Sequence, residues 1–394
     1  MATLAGNTIA ETYPLLLKIA SGGIDGDLRI VEDGDGTESA LSIATDSVLV
    51  RGSGIRLYFH DADGGEHIAG DGTDLTISSG NDIVFALGAT GSVYHTGDGG
   101  TSNTIYGLNA GAGLVSGGNY NIFLGDTAGA VTTEGDNNVA VGYQALATNI
   151  LGTDNIAIGF QAMHDLDSGS TASNSDHNIA IGSQSMGGAW HNTASEKNIC
   201  IGSETMAGVL RGAQENVVIG YQAGTALVGG GTTAQGDSNV IIGSGAAPAI
   251  TTAQQNVIIG AGAFQTANSS ENFNVIIGFE AGKLRDGGDS AVAIGHSALA
   301  TMVAVAGNTA VGYEAGKVTT GANNTYIGFK SGKGASGADA GNVGVGSNTL
   351  LSITSGGNNI AIGNTAGDAI TTGAENVLIG VNAGGALVDE SANI

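Results

Sequence analysis

The stretch HDADGGEH contains the densest group of side chains that could bind a metal. It places His60, Asp61, Asp63, Glu66 and His67 within eight residues. Carboxylate oxygens at this spacing suit Ca²⁺, and histidine combined with carboxylates suits Zn²⁺ or Mn²⁺. The same residues also fit a solvated polar turn between two strands. We therefore expect a plain polar turn and no cofactor, with a metal site, Ca²⁺ foremost, as the alternative.

A second group could recognise a ligand. Trp190, the single tryptophan, lies in GGAWHNTAS beside His191, and His164 and His177 are close in sequence. An exposed tryptophan beside a polar turn is a common anchor for sugars and proteins. The alternative is that Trp190 covers the apolar edge of its own structural unit.

No motif for catalysis accompanies these groups. The sequence contains no nucleophile elbow, phosphate-binding loop or zinc-protease helix. Cleavage of a polysaccharide would need two carboxylates on one groove, and the acidic residues are scattered among turns without an evident pair. We therefore expect that the protein is not an enzyme, with a carboxylate pair formed between subunits as the remaining alternative.

Composition excludes several classes of protein. The 394 residues include 70 glycines, 2 prolines and 1 cysteine, Cys200, and the net charge is −25. This charge argues against nucleic acid and anionic membrane surfaces as partners. The sequence contains no apolar stretch of the ~18 residues that a membrane-spanning helix needs. Cys200 is expected to be a buried, inert residue.

One short pattern, an asparagine followed four residues later by a glycine, recurs along most of the chain. NNVAVGYQAL, DNIAIGFQAM and ENVVIGYQAG are examples, and most copies are 17 or 18 residues apart. The repeat glycines are 107, 125, 142, 159, 182, 202, 220, 243, 260, 278, 295, 312, 328, 346, 363 and 380. Such self-similarity predicts a solenoid of about 16 coils, roughly 75 Å long at the usual spacing between strands.

Each position of the repeat has its own residue type. The residue three before the glycine is β-branched in all 16 copies, and the residue one before it is Ile, Val or Leu in 15. Because these two positions lie on one side of a strand, we expect both columns to face the coil interior. The asparagine tolerates turn geometry, and stacked asparagines could form an amide ladder.

The position between these two columns is never charged. We expect its side chains to point away from the coil, and a strand that is apolar on both faces is covered on both faces. Identical neighbouring chains are the simplest cover, with loops of the same chain as the alternative. The predicted seam between chains includes Ala157, Val218, Ile241, Ile258, Ile276 and Leu378.

The repeats NNVAVGYQAL and NNIAIGNTAG resemble those in the heads of trimeric autotransporter adhesins. This resemblance implies a parallel β-roll in which three chains pack side by side. The repeats are also similar to those of phage tail fibres, as is the opening GNTIAETYPLLLKI. The similarity of this opening to the N-terminal parts of phage fibre-like proteins favours the phage fibre; an autotransporter would also need an export signal, a stalk and a membrane anchor, none of which we expect here.

The resulting expectation is an all-β protein that forms a homotrimeric parallel β-solenoid. Residues 1–100 would form a β-rich attachment region, 101–384 the shaft and 385–394 a tail. The resemblance implies a structural fibre in the virion, made in the host cytoplasm, that binds other tail proteins and a host surface receptor or glycan. A bacterial trimeric surface adhesin and a polysaccharide depolymerase are the alternatives.

Overall fold

The chain divides into two compact units, residues 1–88 and 89–394, in a computed structural model. The structure describes strand residues 18–19, 29–32, 38–43 and 48–50, and residues 100–394 except 116, 165–174, 191–193, 230–235, 268–270, 285–287, 302–305, 335–336 and 338. The described strands of the first unit are β1 (Lys18–Ile19), β2 (Arg29–Glu32), β3 (Glu38–Ile43) and β4 (Val48–Val50). They pair in chain order as an antiparallel sheet.

The second unit is a parallel β-solenoid, which confirms the predicted fold class. Sixteen strands of three residues pair in parallel with their neighbours along the chain, and no helix occurs among the described residues. The strands are β5 (Thr104–Tyr106), β6 (Ile122–Leu124), β7 (Val139–Val141), β8 (Ile156–Ile158), β9 (Ile179–Ile181), β10 (Ile199–Ile201), β11 (Val217–Ile219), β12 (Val240–Ile242), β13 (Val257–Ile259), β14 (Val275–Ile277), β15 (Val292–Ile294), β16 (Thr309–Val311), β17 (Thr325–Ile327), β18 (Val343–Val345), β19 (Ile360–Ile362) and β20 (Val377–Ile379).

The repeat asparagines form the expected amide ladder inside the solenoid. Asn138 is fully buried; its backbone N–H donates to Oδ1 of Asn121 at 2.8 Å, and its own Nδ2 donates to the carbonyl of Gly152 at 2.8 Å. Asn155 continues the ladder by donating its N–H to Oδ1 of Asn138. Each buried amide therefore satisfies backbone groups of its own and adjacent coils, which fixes the register between them.

The ladder continues into the C-terminal residues. The N–H of Asn393 donates to Oδ1 of Asn376 at 3.0 Å, and the carbonyl of Asn393 accepts from Val377 at 2.8 Å. Residues 385–394 were expected to be a tail outside the repeat, but they stack on the last strand as part of a further coil. The signal for this in the sequence is that Asn393 follows Asn376 by one repeat of 17 residues.

The repeat glycine is required for backbone reasons. Gly142 has φ of +132°, which side chains disfavour, and a Cβ at this position would lie 2.5 Å from the carbonyl oxygen of Gly159 in the next coil. Glycine therefore permits both the bend after each strand and the close stacking of successive coils.

The middle residue of each strand faces the coil interior, so the predicted direction of the strand faces is wrong. Ala157, Val218, Ile241, Ile258 and Ile276 are fully buried within a single chain, and Leu378 is nearly so. They cannot form a seam between chains. The physical reason is the asparagine: its amide must be inside to bond the backbone, and the alternation of side chains then turns the middle residue inward as well.

The interior is filled by pairs of side chains of complementary size. The middle strand residue packs against the residue four after the repeat glycine, and a large member faces a small one. A Cβ on Gly129 would lie 2.6 Å from the Phe123 ring, and one on Gly224 would lie 3.3 Å from Val218. Where the strand has Ala157, the partner position has Met163. Thirteen of the 16 coils follow this rule, so these coils reach dense packing with several different pairs.

Candidate functional site: two exposed apolar columns

Two columns of apolar side chains lie on the outer face of the sixteen-stranded sheet. They are the first and third residues of each strand, one residue on either side of the buried middle position. In the single chain they are half-buried or exposed; Ile158 is 37% exposed and Ile327 40%. No residue of either column carries a charge.

The columns are straight because the strands are in register. Val240 pairs with Val257 and Ile242 with Ile259, and every neighbouring pair of strands follows the same pattern. β-Branched residues favour this extended backbone. The stripe is therefore continuous over 16 strands, about 75 Å at the usual strand spacing. Monomeric proteins rarely expose an apolar patch of this extent.

Trp190 lies in the core instead of at a recognition surface. Its side chain is fully buried, its Nε1 donates to the carbonyl of Met186 at 3.1 Å, and it pairs with Leu210 of the next coil. The packing alternative is confirmed, and Trp190 cannot contact a receptor directly. His177 is exposed, with its Nε2 3.5 Å from Oδ2 of Asp154, and His164 is half-buried.

Several predicted site residues lie outside the described residues. They are His191 and the whole candidate metal cluster, His60, Asp61, Asp63, Glu66 and His67. Among the residues that the structure describes, no group of three or more potential metal ligands occurs. The described part also contains no helix long and apolar enough to cross a membrane.

Aromatic residues directly after the repeat glycine form a third exposed column, the aromatic column. Phe279, His296, Tyr313 and Phe329 stack in order, with ring centroids 5.3, 5.1 and 5.3 Å apart, and Tyr143 stacks on Phe160 at 5.6 Å. Since most ring faces are covered by neighbouring rings, the column mainly presents ring edges to solvent.

Beside this column lies a group that we call the lysine flank: Lys283, Lys317, Lys330 and Lys333 with Glu280 and Glu314. The carboxylate of Glu314 binds Nζ of Lys317 at 2.6 Å through one oxygen and Nζ of Lys333, from the next coil, at 2.7 Å through the other. Hydrogen bonds from Lys317 and then Lys333 lower the pKa of Glu314 to about 2. Nζ of Lys330 lies 4.8 Å from the centre of the Phe329 ring.

One acid is buried in the core. Asp339 is inaccessible to solvent; its Oδ2 accepts from the hydroxyl of Tyr326 at 2.9 Å and its Oδ1 from the N–H of Gly321 at 3.2 Å. Desolvation raises the pKa of Asp339 to about 6 despite these hydrogen bonds. Burial likewise raises the pKa of the Cys200 thiol, so this buried cysteine is the inert residue expected from the sequence.

Asp339 should make the solenoid more stable in mild acid than at neutral pH. A carboxyl whose pKa is higher in the folded chain favours folding when protonated. The stabilisation by this carboxyl is therefore complete below about pH 4. As the pH rises to about 6 it is lost, which lowers the free energy of unfolding by on the order of 2–3 kcal/mol. Asp339→Asn should remove this loss and stabilise the protein at pH 7, since an amide can bond both Tyr326 and Gly321.

Thermal unfolding between pH 4 and 7 would measure this effect. Asp126→Asn, which neutralises an exposed carboxylate, is the matched control. Equal pH dependence in wild type and Asp339→Asn would show that the buried carboxyl does not titrate in this range.

Comparisons with protein families, curated proteins and solved structures found no match to this chain.

Proposed function

We propose that the chain is the structural fibre of a virion, a homotrimer that reaches and adheres to a host surface. One observation carries the proposal: the two apolar columns form a continuous stripe on the outer face of the sheet in a single chain. The resemblance of the repeats to phage tail fibres and trimeric adhesin heads supports it. The seam between chains then consists of the first and third strand residues in place of the middle ones.

Copies of the same chain are the partner that fits this stripe best. A side-by-side copy presents the same columns with the same spacing between coils, so apolar residues meet along the whole length. The two columns together supply 32 residues, which is ample for contacts with neighbouring chains when a standard interface uses 20–30 residues from each partner. Burial of such a stripe is a strong driving force for association.

Three copies suit the stripe better than two. The two columns differ, because the first contains Val, Ile and Thr whereas the second is mostly Ile. In a threefold ring, each chain contacts one neighbour through its first column and the other neighbour through its second column. Such a contact between two different surfaces is heterologous, and it closes into a ring. The backbone pairing from coil to coil would make such a fibre resistant to unfolding, and the first unit would bind other tail proteins.

The place of the protein in the virion can be tested by immunogold labelling with antibodies to the purified chain. We expect label on tail appendages of virions, and pre-incubation of host cells with the trimer should reduce virion adsorption. Label confined to bacterial envelopes would contradict the virion role and indicate a surface adhesin. Release of reducing ends from host polysaccharide by the purified chain would instead indicate a depolymerase.

A further inference from the structure

The lysine flank is a positively charged area on a strongly acidic protein. Its four lysines and two glutamates give it a net charge of +2, whereas the whole chain carries −25. In the described part of the solenoid the other cations are Lys197 and Arg211, in coils far along the chain. Three of the four lysines lie five residues after a repeat glycine, a position that in most other coils holds small uncharged residues such as Ala130, Ala147 and Ala207.

The lysines of this flank are held in place. Lys317 and Lys333 bind opposite oxygens of Glu314, so their ammonium groups lie side by side across two coils. Each ammonium group has three N–H donors, and the bond to Glu314 uses one of them. Lys283 is fixed in the same way by Glu280 at 2.7 Å. The remaining donors can therefore bind an anion at little further cost in side-chain entropy.

Lys330 adds a cation of a different kind. Its ammonium group lies over the ring of Phe329, and no carboxylate among the described residues lies within ion-pair distance of it. Phe329 is 47% exposed, and it ends the aromatic column of Phe279, His296 and Tyr313. The flank thus combines ammonium groups with an apolar band of ring edges over four consecutive coils.

We propose that the lysine flank binds an acidic polysaccharide, a linear glycan that carries carboxylate or sulfate groups. Such a polymer alternates charged groups, which ammonium donors bind, with apolar C–H surfaces of the sugar rings, which pack against aromatic side chains. A glycan running along the solenoid would meet a ring side chain in each of the four coils and lysines in three of them. The proposal gives a ligand class to the adhesive role proposed above and rests on it only for its biological meaning.

Charge distribution favours a glycan over nucleic acid. The flank spans three coil spacings, about 14 Å, and the coils next to it carry almost no charge, whereas the chain as a whole is strongly acidic. DNA carries one charge per ~1.7 Å and extends well beyond this length, so the rest of the chain would repel it. A glycan with about one charge per sugar can place a few anions on the flank with less repulsion.

Binding of the purified full-length protein to immobilised polygalacturonate and dextran sulfate tests the proposal, with neutral dextran as the reference surface. We expect binding to at least one acidic polymer at low salt, weakening as salt increases. Lys330→Gln combined with Lys333→Gln should weaken it by about tenfold or more. This double variant leaves Glu314 paired with Lys317, which protects the fold.

The control is Lys197→Gln combined with Arg211→Gln, which changes the net charge equally away from the flank. This control should bind like wild type, and Lys330→Arg with Lys333→Arg should retain most binding. An unaltered melting temperature of each variant would show that the fold is intact. Absence of binding to every acidic polymer, equal losses in the flank and control variants, or equal binding to duplex DNA would overturn the proposal. The virion role could survive each of these results.

Discussion

The double variant Val218→Ala/Gly224→Met is expected to be far more stable than its two single changes imply. Val218→Ala removes buried methyl groups and should cost about 2 kcal/mol through the cavity that it leaves. Gly224→Met forces a long side chain against Val218, at a position with φ of +55°, and should cost about 2–4 kcal/mol. Together they recreate the pair found two coils away, in which Ala180 faces Met186 at φ of +50°.

Chemical denaturation of the four proteins measures the coupling. We expect the free energy of unfolding of the double variant to fall by about 2–3 kcal/mol less than the sum of the decreases in the two single variants. Val218→Ala combined with Gly282→Met is the control, because Gly282 lies three coils away and the two losses should simply add. Additive losses in the Val218–Gly224 pair would contradict the size complementarity of the core.

A charge in the outer columns should separate the chains while the coil stays folded. Ile259 is half-buried in a single chain, so an aspartate there remains hydrated in the monomer. In the proposed trimer it would place three carboxylates in an apolar seam. This desolvation costs several kcal/mol per charge, enough to dissociate the assembly.

Sedimentation and circular dichroism of Ile259→Asp test this prediction, with Ser244→Asp as the control on an exposed position outside the two apolar strand columns. We expect Ile259→Asp to be a folded monomer and Ser244→Asp to behave as wild type. Val218→Asp and Ile258→Asp, which target the wrongly predicted seam, should instead unfold the chain by burying a charge inside a coil. An unchanged assembly in Ile259→Asp would contradict the proposed seam.

The repeat made the strands and their order predictable, but the direction of their side chains was assigned wrongly. The prediction gave priority to the β-branched columns, whereas the amide of Asn138 needs the interior more than Val139 does. A buried amide group without hydrogen bonds raises the free energy of the folded chain more than a half-exposed valine does. The matched sizes of pairs such as Phe123 with Gly129 were visible in the sequence and would have identified the inward position.

Other features depend on geometry that sequence propensities do not contain. Leu146 has φ of +53° and Met163 +49°, values that bulky residues avoid, so no local rule predicts them as core residues. Dense packing in the narrow coil offsets this strain. The lysine flank was missed because Glu314 and Lys333 belong to different coils, and their contact follows only when the coils are stacked in register.

The mass of the wild-type protein in solution tests the central claim, that the outer columns are covered by copies of the same chain. Sedimentation equilibrium at micromolar concentration should give three times the 38.5 kDa of one chain. A well-behaved particle with the mass of a single chain would contradict the account, because its stripe of valine and isoleucine would then face water.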